Sequence, residues 1–108
     1  MKTPEELLDL LKYDITTSNG TTTYRFNGKI HRDEDQPAVI RASGNKEWYQ
    51  NGMRHRDEDQ PAVIDATGYK AWYLNDEIHR DNDRPAVIYA SGTNEWWVNG
   101  KFIRRESK

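Results

Sequence analysis

The sequence predicts an all-β fold: a repetitive antiparallel β-hairpin meander of 24-residue units behind a short N-terminal capping helix. Three observations predict it. The ten residues His-Arg-Asp-Glu-Asp-Gln-Pro-Ala-Val-Ile at 31–40 recur letter for letter at 55–64, and return at 79–88 with only Asn82 and Arg84 changed. Such a fixed step marks supersecondary units that stack to bury a shared core. Each step also carries a turn pair, at Asn27-Gly28, Asn51-Gly52, Asn75-Asp76 and Asn99-Gly100. Asn-Gly between β-favouring residues is the strongest short hairpin signal, because both central positions of that turn need positive φ. Finally, a strand aromatic keeps the same step at Tyr24, Trp48, Trp72 and Trp96, each four residues after a glycine (Gly20, Gly44, Gly68, Gly92).

Thr3-Pro4-Glu5-Glu6 opens the chain as a helix start, with a capping threonine, a proline at the first helical position and a glutamate completing a capping box. Leu7, Leu8, Leu10 and Leu11 then form an apolar face about two turns long. A lone helix this short is marginal in water. It is therefore expected to lie against the first edge of the stack as terminal caps do; the other reading is that its leucines meet a partner directly. Residues 1–14 are assigned to this cap and 15–108 to the β-repeat domain, with units near 13–36, 37–60, 61–84 and 85–108.

Each unit reads as a strand (Pro-Ala-Val-Ile-x-Ala), a Ser/Thr-Gly turn, a strand centred on tryptophan, the Asn-Gly turn and a short His-Arg strand. An acidic loop leads to the next proline. Pro37, Pro61 and Pro85 stand at strand starts, where a missing N–H does least harm. Alternation places Ala38, Ile40 and Ala42 on an inner face, with Ala62, Ile64 and Ala66 and then Ala86, Ile88 and Ala90 repeating the pattern. The residue between Ile and the last Ala changes freely (Arg41, Asp65, Tyr89), so it is expected to face water or a partner. In the aromatic strand Trp48, Trp72 and Trp96 point one way, and Tyr49, Tyr73 and Trp97 the other. The buried tryptophans are the anchors, each worth on the order of 5 kcal/mol from burying ~200 Å². The charged tail Arg104-Arg105-Glu106 is expected to discourage pairing at the last edge.

The Gly-x-x-x-Trp-Tyr-x-Asn-Gly-x-x-His run, as it stands from Gly44 to His55, resembles the MORN-type repeat, in particular its phage- and toxin–antitoxin-associated variant. The resemblance covers about residues 15–104, four units with the first and last incomplete. Similar arrays occur in small proteins of phages and large DNA viruses. The resemblance implies a binding scaffold more than a catalyst.

Composition bounds the function. At 108 residues the chain is one domain, with 34% hydrophobic and 31% charged residues. A net charge of -2 suits neither the basic surface of a nucleic-acid binder nor a polyanionic mimic. There is no cysteine, hence no disulfide and no thiolate metal site. No apolar run approaches the ~20 residues of a membrane span, and the N-terminus lacks the apolar core of a signal peptide. The expectation is a cytoplasmic protein with a protein partner, no direct nucleic acid and no membrane, with self-association left open.

Two motifs invite chemistry. His31-Arg32-Asp33, His55-Arg56-Asp57 and His79-Arg80-Asp81 spell the start of a kinase catalytic loop, but the chain has no phosphate loop, no Asp-Phe-Gly and too little length. Arg and Asp are instead expected to pair across the loop while His packs its ring on a neighbour; Ile103 at the last equivalent position fits that role. The Asp-x-Asp loops (Asp33/Asp35, Asp57/Asp59, Asp81/Asp83) lack the glycine bend and distant glutamate of a Ca²⁺ loop. They are read as holding turn N–H groups. Repeated carboxylates offer no acid–base asymmetry for glycoside hydrolysis. No catalytic residue, metal or cofactor is assigned. The partner-binding candidates are Arg41, Tyr49, Asp65, Tyr73, Tyr89 and Trp97, since Tyr and Trp dominate interface hot spots. The expected function is a non-enzymatic protein-binding module, by the resemblance's viral associations an inhibitor occluding a host protein such as a CRISPR effector. The runner-up is a carbohydrate-binding protein that stacks sugars on the same aromatic row.

Overall fold

The structure, a computed structural model, describes residues 2–107. Helix α1 (Pro4–Lys12) leads into β1 (Asp14–Ser18), β2 (Thr21–Phe26) and β3 (Lys29–Ile30). The middle of the chain holds eight two-residue strands: β4 (Val39–Ile40), β5 (Lys46–Glu47), β6 (Tyr49–Gln50), β7 (Met53–Arg54), β8 (Val63–Ile64), β9 (Lys70–Ala71), β10 (Tyr73–Leu74) and β11 (Glu77–Ile78). It closes with β12 (Val87–Ile88), β13 (Asn94–Val98) and β14 (Lys101–Glu106). The main sheet runs β1-β2-β4-β5-β8-β9-β12-β13-β14, antiparallel at every pairing. β3 branches from β2, while β6–β7 and β10–β11 are separate hairpins beside the sheet. The result is elongated, 47 × 24 × 21 Å. Among the described residues no helix is long and apolar enough to cross a membrane.

The hairpin turns follow from their residues. Asn27-Gly28, Asn51-Gly52 and Asn99-Gly100 hold φ near +50° and +80°, the pair of signs a type I′ turn needs. Asn75-Asp76 does the same at 49° and 71° without glycine. There the Asp76 carboxylate accepts the Arg54 backbone N–H at 3.2 Å, which offsets part of the left-handed strain.

The strands are shorter than alternation suggests. In the middle of the chain each entry into the main sheet lasts two residues. The aromatic strand then breaks at its tryptophan: Trp48 N–H donates to the Ala62 carbonyl (2.8 Å), and the Trp48 carbonyl accepts from His55 N–H (3.1 Å). The expected Ala/Ile/Ala inner face is therefore corrected. Ala38, Ala62 and Ala86 are fully buried, but the next buried side chains are Val39 and Val87. Ile40, Ile64 and Ile88 are half-buried, and Ala42, Ala66 and Ala90 are exposed in the turns. A two-residue strand bounded by bends cannot carry a six-residue alternation. Ala38 gives its N–H to Glu47 (2.9 Å) and its carbonyl to Tyr24 (2.8 Å). The short His-Arg strand is likewise displaced: Met53–Arg54 and Glu77–Ile78 pair, and the histidine follows them.

The helix forms as its capping box dictates, with Thr3 and Glu6 exchanging bonds of 3.2 Å. Its leucines do not cover the stack. Leu7, Leu8, Leu10 and Leu11 are 49–85% exposed, and no helix residue is buried. The opposite stripe docks instead. Asp9 takes the Arg32 guanidinium at 2.7 Å, Lys12 reaches Asp33 at 2.6 Å, and Tyr13 at the helix end is buried edge-on to Tyr24, 5.8 Å between centroids. Polar anchoring turns the leucines outward. At the far end the expected tail is itself strand β14, with Phe102 and Ile103 about half exposed.

Candidate binding face

One edge of the molecule is built the same way at each 24-residue step. The Trp48, Trp72 and Trp96 indole N–H groups donate to the carbonyls of Asp35, Asp59 and Asp83 (3.1, 3.0 and 3.0 Å). Over the rings lie Arg56, Arg80 and Arg104, their guanidinium carbons 3.8, 3.9 and 4.0 Å from the ring centroids, well inside cation–π range. Each arginine also bonds the carboxylate of the preceding loop, Arg56 to Asp35, Arg80 to Asp59 and Arg104 to Asp83 (2.8–2.9 Å). Arg32 stacks on Tyr24 and takes Asp9 of the helix in the same manner. The helix thus supplies the carboxylate that an earlier loop would have given.

The expectation that Arg and Asp pair across their own loop is corrected by these contacts. Within its own loop the aspartate serves histidine. His31, His55 and His79 accept at Nδ1 the backbone N–H of Asn51, Asn75 and Asn99 (2.9–3.1 Å). The proton therefore sits on Nε2, which donates to Asp33, Asp57 and Asp81 at 2.7 Å. Ile103 stands at the equivalent position of the last step. Hydrogen bonding to Arg56 holds the Asp35 carboxyl below the usual carboxylate range, and Arg80, with Arg84, does the same for Asp59. Asp33 is lowered by Lys12 and then His31.

The two aspartates of each Asp-x-Asp loop therefore bond different side chains, the first the histidine of its own loop and the second an arginine of the next step. Among the described residues no three His, Asp or Glu side chains converge as a metal site. The loops hold one more feature that composition hides. Glu34-Asp35, Glu58-Asp59 and Asn82-Asp83 all have φ between 53° and 63°. Each loop is a tight left-handed turn, and it aims the aspartate carbonyl at the tryptophan.

The opposite face differs at every step. Glu47, Ala71 and Glu95 stand in one cross-strand row with Val39, Val63 and Val87. Glu47 is 5% exposed. It accepts Arg41 Nε (3.0 Å), the Tyr49 hydroxyl (3.0 Å) and Arg54 Nη2 (3.3 Å). Burial alone would raise its pKa, yet Arg41, Tyr49 and Arg54 hold it below the ordinary value. Glu95 takes the Tyr89 hydroxyl (3.3 Å) and Trp97 Nε1 (3.0 Å), with Arg105 at 3.8 Å. At the middle step alanine stands in the row, and Asp65 folds into its own turn, accepting Thr67 N–H, Thr67 hydroxyl and Tyr69 N–H at 2.6–3.0 Å.

The six candidate residues thus share one face but are not a free-standing row. Arg41 is exposed; Tyr49, Asp65, Tyr73, Tyr89 and Trp97 are half-buried. Glu47 links Arg41 to Tyr49, Arg54 lies between the Tyr49 and Tyr73 rings (5.8 and 5.5 Å), and Glu95 links Tyr89 to Trp97. Tyr69 meets Tyr89 edge-on, and Phe102 meets Trp97, each at 5.5 Å. Arg41 faces solvent and Asp65 and Tyr89 do so in part, and each also has an intramolecular partner. Sequence reasoning missed Glu47, Arg54 and Glu95. A signal existed, because Arg41 and Tyr89 accompany glutamates at 47 and 95 whereas Asp65 accompanies Ala71.

Comparison with protein-family models, with curated proteins and with solved structures gives no match.

Proposed function

We propose that this chain is a MORN-like β-hairpin repeat protein acting as a non-enzymatic protein-binding module. The observation that carries the reading is the segregation of its side chains. The copied Trp, Arg, His and Asp side chains are engaged in contacts that build the stack, while the positions that change most (Arg41 and Tyr89) lie with Tyr49, Tyr73 and Trp97 on an aromatic face that is half-buried apart from the exposed Arg41. Amphipathic aromatics with arginines at the margin match the make-up of interface hot spots. A frame assembled from repeated parts holds them at low entropic cost. The sequence resemblance adds the direction: a phage-type inhibitor that occludes a host protein, of which a bacterial-defence effector such as a CRISPR nuclease is one kind.

Capture from bacterial lysate tests it. Wild type and the acidic-edge variant Glu58→Gln are expected to recover the same stoichiometric protein, and Tyr73→Ala to lose it by tenfold or more while keeping its fold. Recovery of no protein by wild type, or loss with Glu58→Gln but not with Tyr73→Ala, overturns the reading.

A further inference from the structure

The geometry points to a carboxylate-binding site at Arg41 and Arg54, set between Tyr49 and Tyr73 on the varied face, that receives an Asp or Glu side chain of a protein partner. The inference rests on the protein-binding reading and names the chemistry of its central contact.

Two guanidinium groups converge there on a single carboxylate. Arg41 places both Nε and Nη2 at 3.0 Å from Glu47 Oε2. Glu47 is thereby neutralised, and its other oxygen is already shared with the Tyr49 hydroxyl. Arg54 is left with little. Of its five guanidinium N–H donors, the bond to Glu47 uses one, a long one of 3.3 Å from Nη2. Its Nε is buried without a partner. A desolvated donor left unpaired is unfavourable, so the free protein holds this group in an incompletely satisfied state. The side chains of Arg41 and Arg54 remain 46% and 37% exposed, so the cluster is open to an incoming group.

The local balance selects the ligand. Arg41, Arg54 and Glu47 sum to one positive charge, which a singly charged carboxylate cancels and a phosphate at neutral pH overshoots. The guanidinium fork accepts a carboxylate in paired hydrogen bonds. The Tyr49 and Tyr73 rings, 5.8 and 5.5 Å from the Arg54 guanidinium carbon, offer apolar surface to the methylenes of an Asp or Glu. The backbone at this position does not require arginine: the positions 24 residues before and after Arg54 hold Ile30 and Ile78.

The experiment follows the Arg Nε–H resonances of the full chain by NMR during titration with N-acetyl-Trp-Glu-amide, N-acetyl-Trp-Gln-amide and inorganic phosphate. The Glu peptide is expected to shift the Arg54 and Arg41 signals saturably, with at least fivefold lower Kd than the Gln peptide and at lower concentration than phosphate. Arg54→Ile, which copies the residue at 30 and 78, is expected to abolish the Glu-over-Gln preference with an otherwise native spectrum. Arg54→Lys, which keeps the charge and loses the fork, should reduce it severalfold and serves if the isoleucine variant does not fold. Equal affinity for the two peptides, phosphate binding ahead of the Glu peptide, or a preference unchanged in both variants overturns the site. Those results leave protein capture by wild type standing; capture of no protein sinks the wider reading whatever the peptides do.

Discussion

The two sides of this molecule obey different rules. Along the loop edge the same contacts return at each step; on the opposite face no two steps agree. The difference lies in what each side chain bonds. On the edge each repeated side chain bonds at least one backbone atom beside its Arg–Asp or His–Asp contact: the indoles donate to aspartate carbonyls, Arg56 Nη1 donates to the Pro61 carbonyl, and the histidines accept asparagine N–H groups. A backbone atom has a fixed position and a fixed role, so few side chains fit. On the face the decisive bonds join side chain to side chain, as in Arg41, Tyr49 and Arg54 around Glu47. Such a set can be exchanged whole for another, and the step at Asp65 and Ala71 carries one such exchange. Repetition is thus enforced where geometry is set by the backbone, and relaxed where side chains answer only to each other.

The largest expected effect is on the edge. Trp72→Ala removes a ring that is 7% exposed, an indole bond and the Arg80 stack, and should cost about 3–5 kcal/mol. Against the 5–15 kcal/mol typical of a whole domain, this lowers the urea midpoint steeply. A loss under about 1 kcal/mol would show that the edge does not hold the stack.

On the face, Glu47→Ala leaves two arginines and a tyrosine hydroxyl without their acceptor and should cost about 1–3 kcal/mol. The triple variant Arg41→Asp, Glu47→Ala, Arg54→Ile copies the set at 65, 71 and 78. It is expected to recover to within about 1 kcal/mol of wild type, a strong non-additivity in denaturant unfolding. If the triple change costs as much as its parts combined, the face is not exchangeable by sets and the contrast fails.

The smallest effect sharpens the contrast through pH. Asp59 has a lowered pKa because Arg80, then Arg84, bonds its carboxylate. A carboxyl lowered on folding contributes stability that is complete above its unfolded value near pH 4. The contribution is lost as the pH falls through the folded value. The pair is partly exposed, so Asp59→Asn should cost only about 0.5–1 kcal/mol at pH 7. The melting-temperature gap between variant and wild type should close at about pH 2. A gap that persists in acid would mean that Asp59 matters as a turn residue, not as a charge.

How far each element could be read depended on its range. The Asn-Gly turns, the capping box and the Trp48 and Trp72 anchors were legible, since each turns on the conformational preference or apolar area of residues close in sequence, whereas Trp96, expected to be buried like them, is only half-buried. Asn75-Asp76 was legible as well, because its neighbours supplied the step. The inner face was misread at Ile40 and Ala42 because alternation presumes a strand long enough to alternate. Of the candidate site, the sequence singled out Tyr49, Tyr73 and Trp97, whereas Glu47 and Arg54 looked like ordinary surface charges. What distinguishes them is burial among neighbours from other strands.

By itself the sequence determined the step, the turn types, the helix start and the separation of copied from varied residues, all local properties of the chain. Only the tertiary structure decided that each arginine reaches back to the preceding loop, that the helix lends Asp9 while turning its leucines outward, and that the varied residues knit around buried glutamates. Those outcomes rest on distances between groups some 20 residues apart, which no local preference encodes. They follow from stacking two-residue strands close enough for side chains of neighbouring steps to compete for the same donors and acceptors.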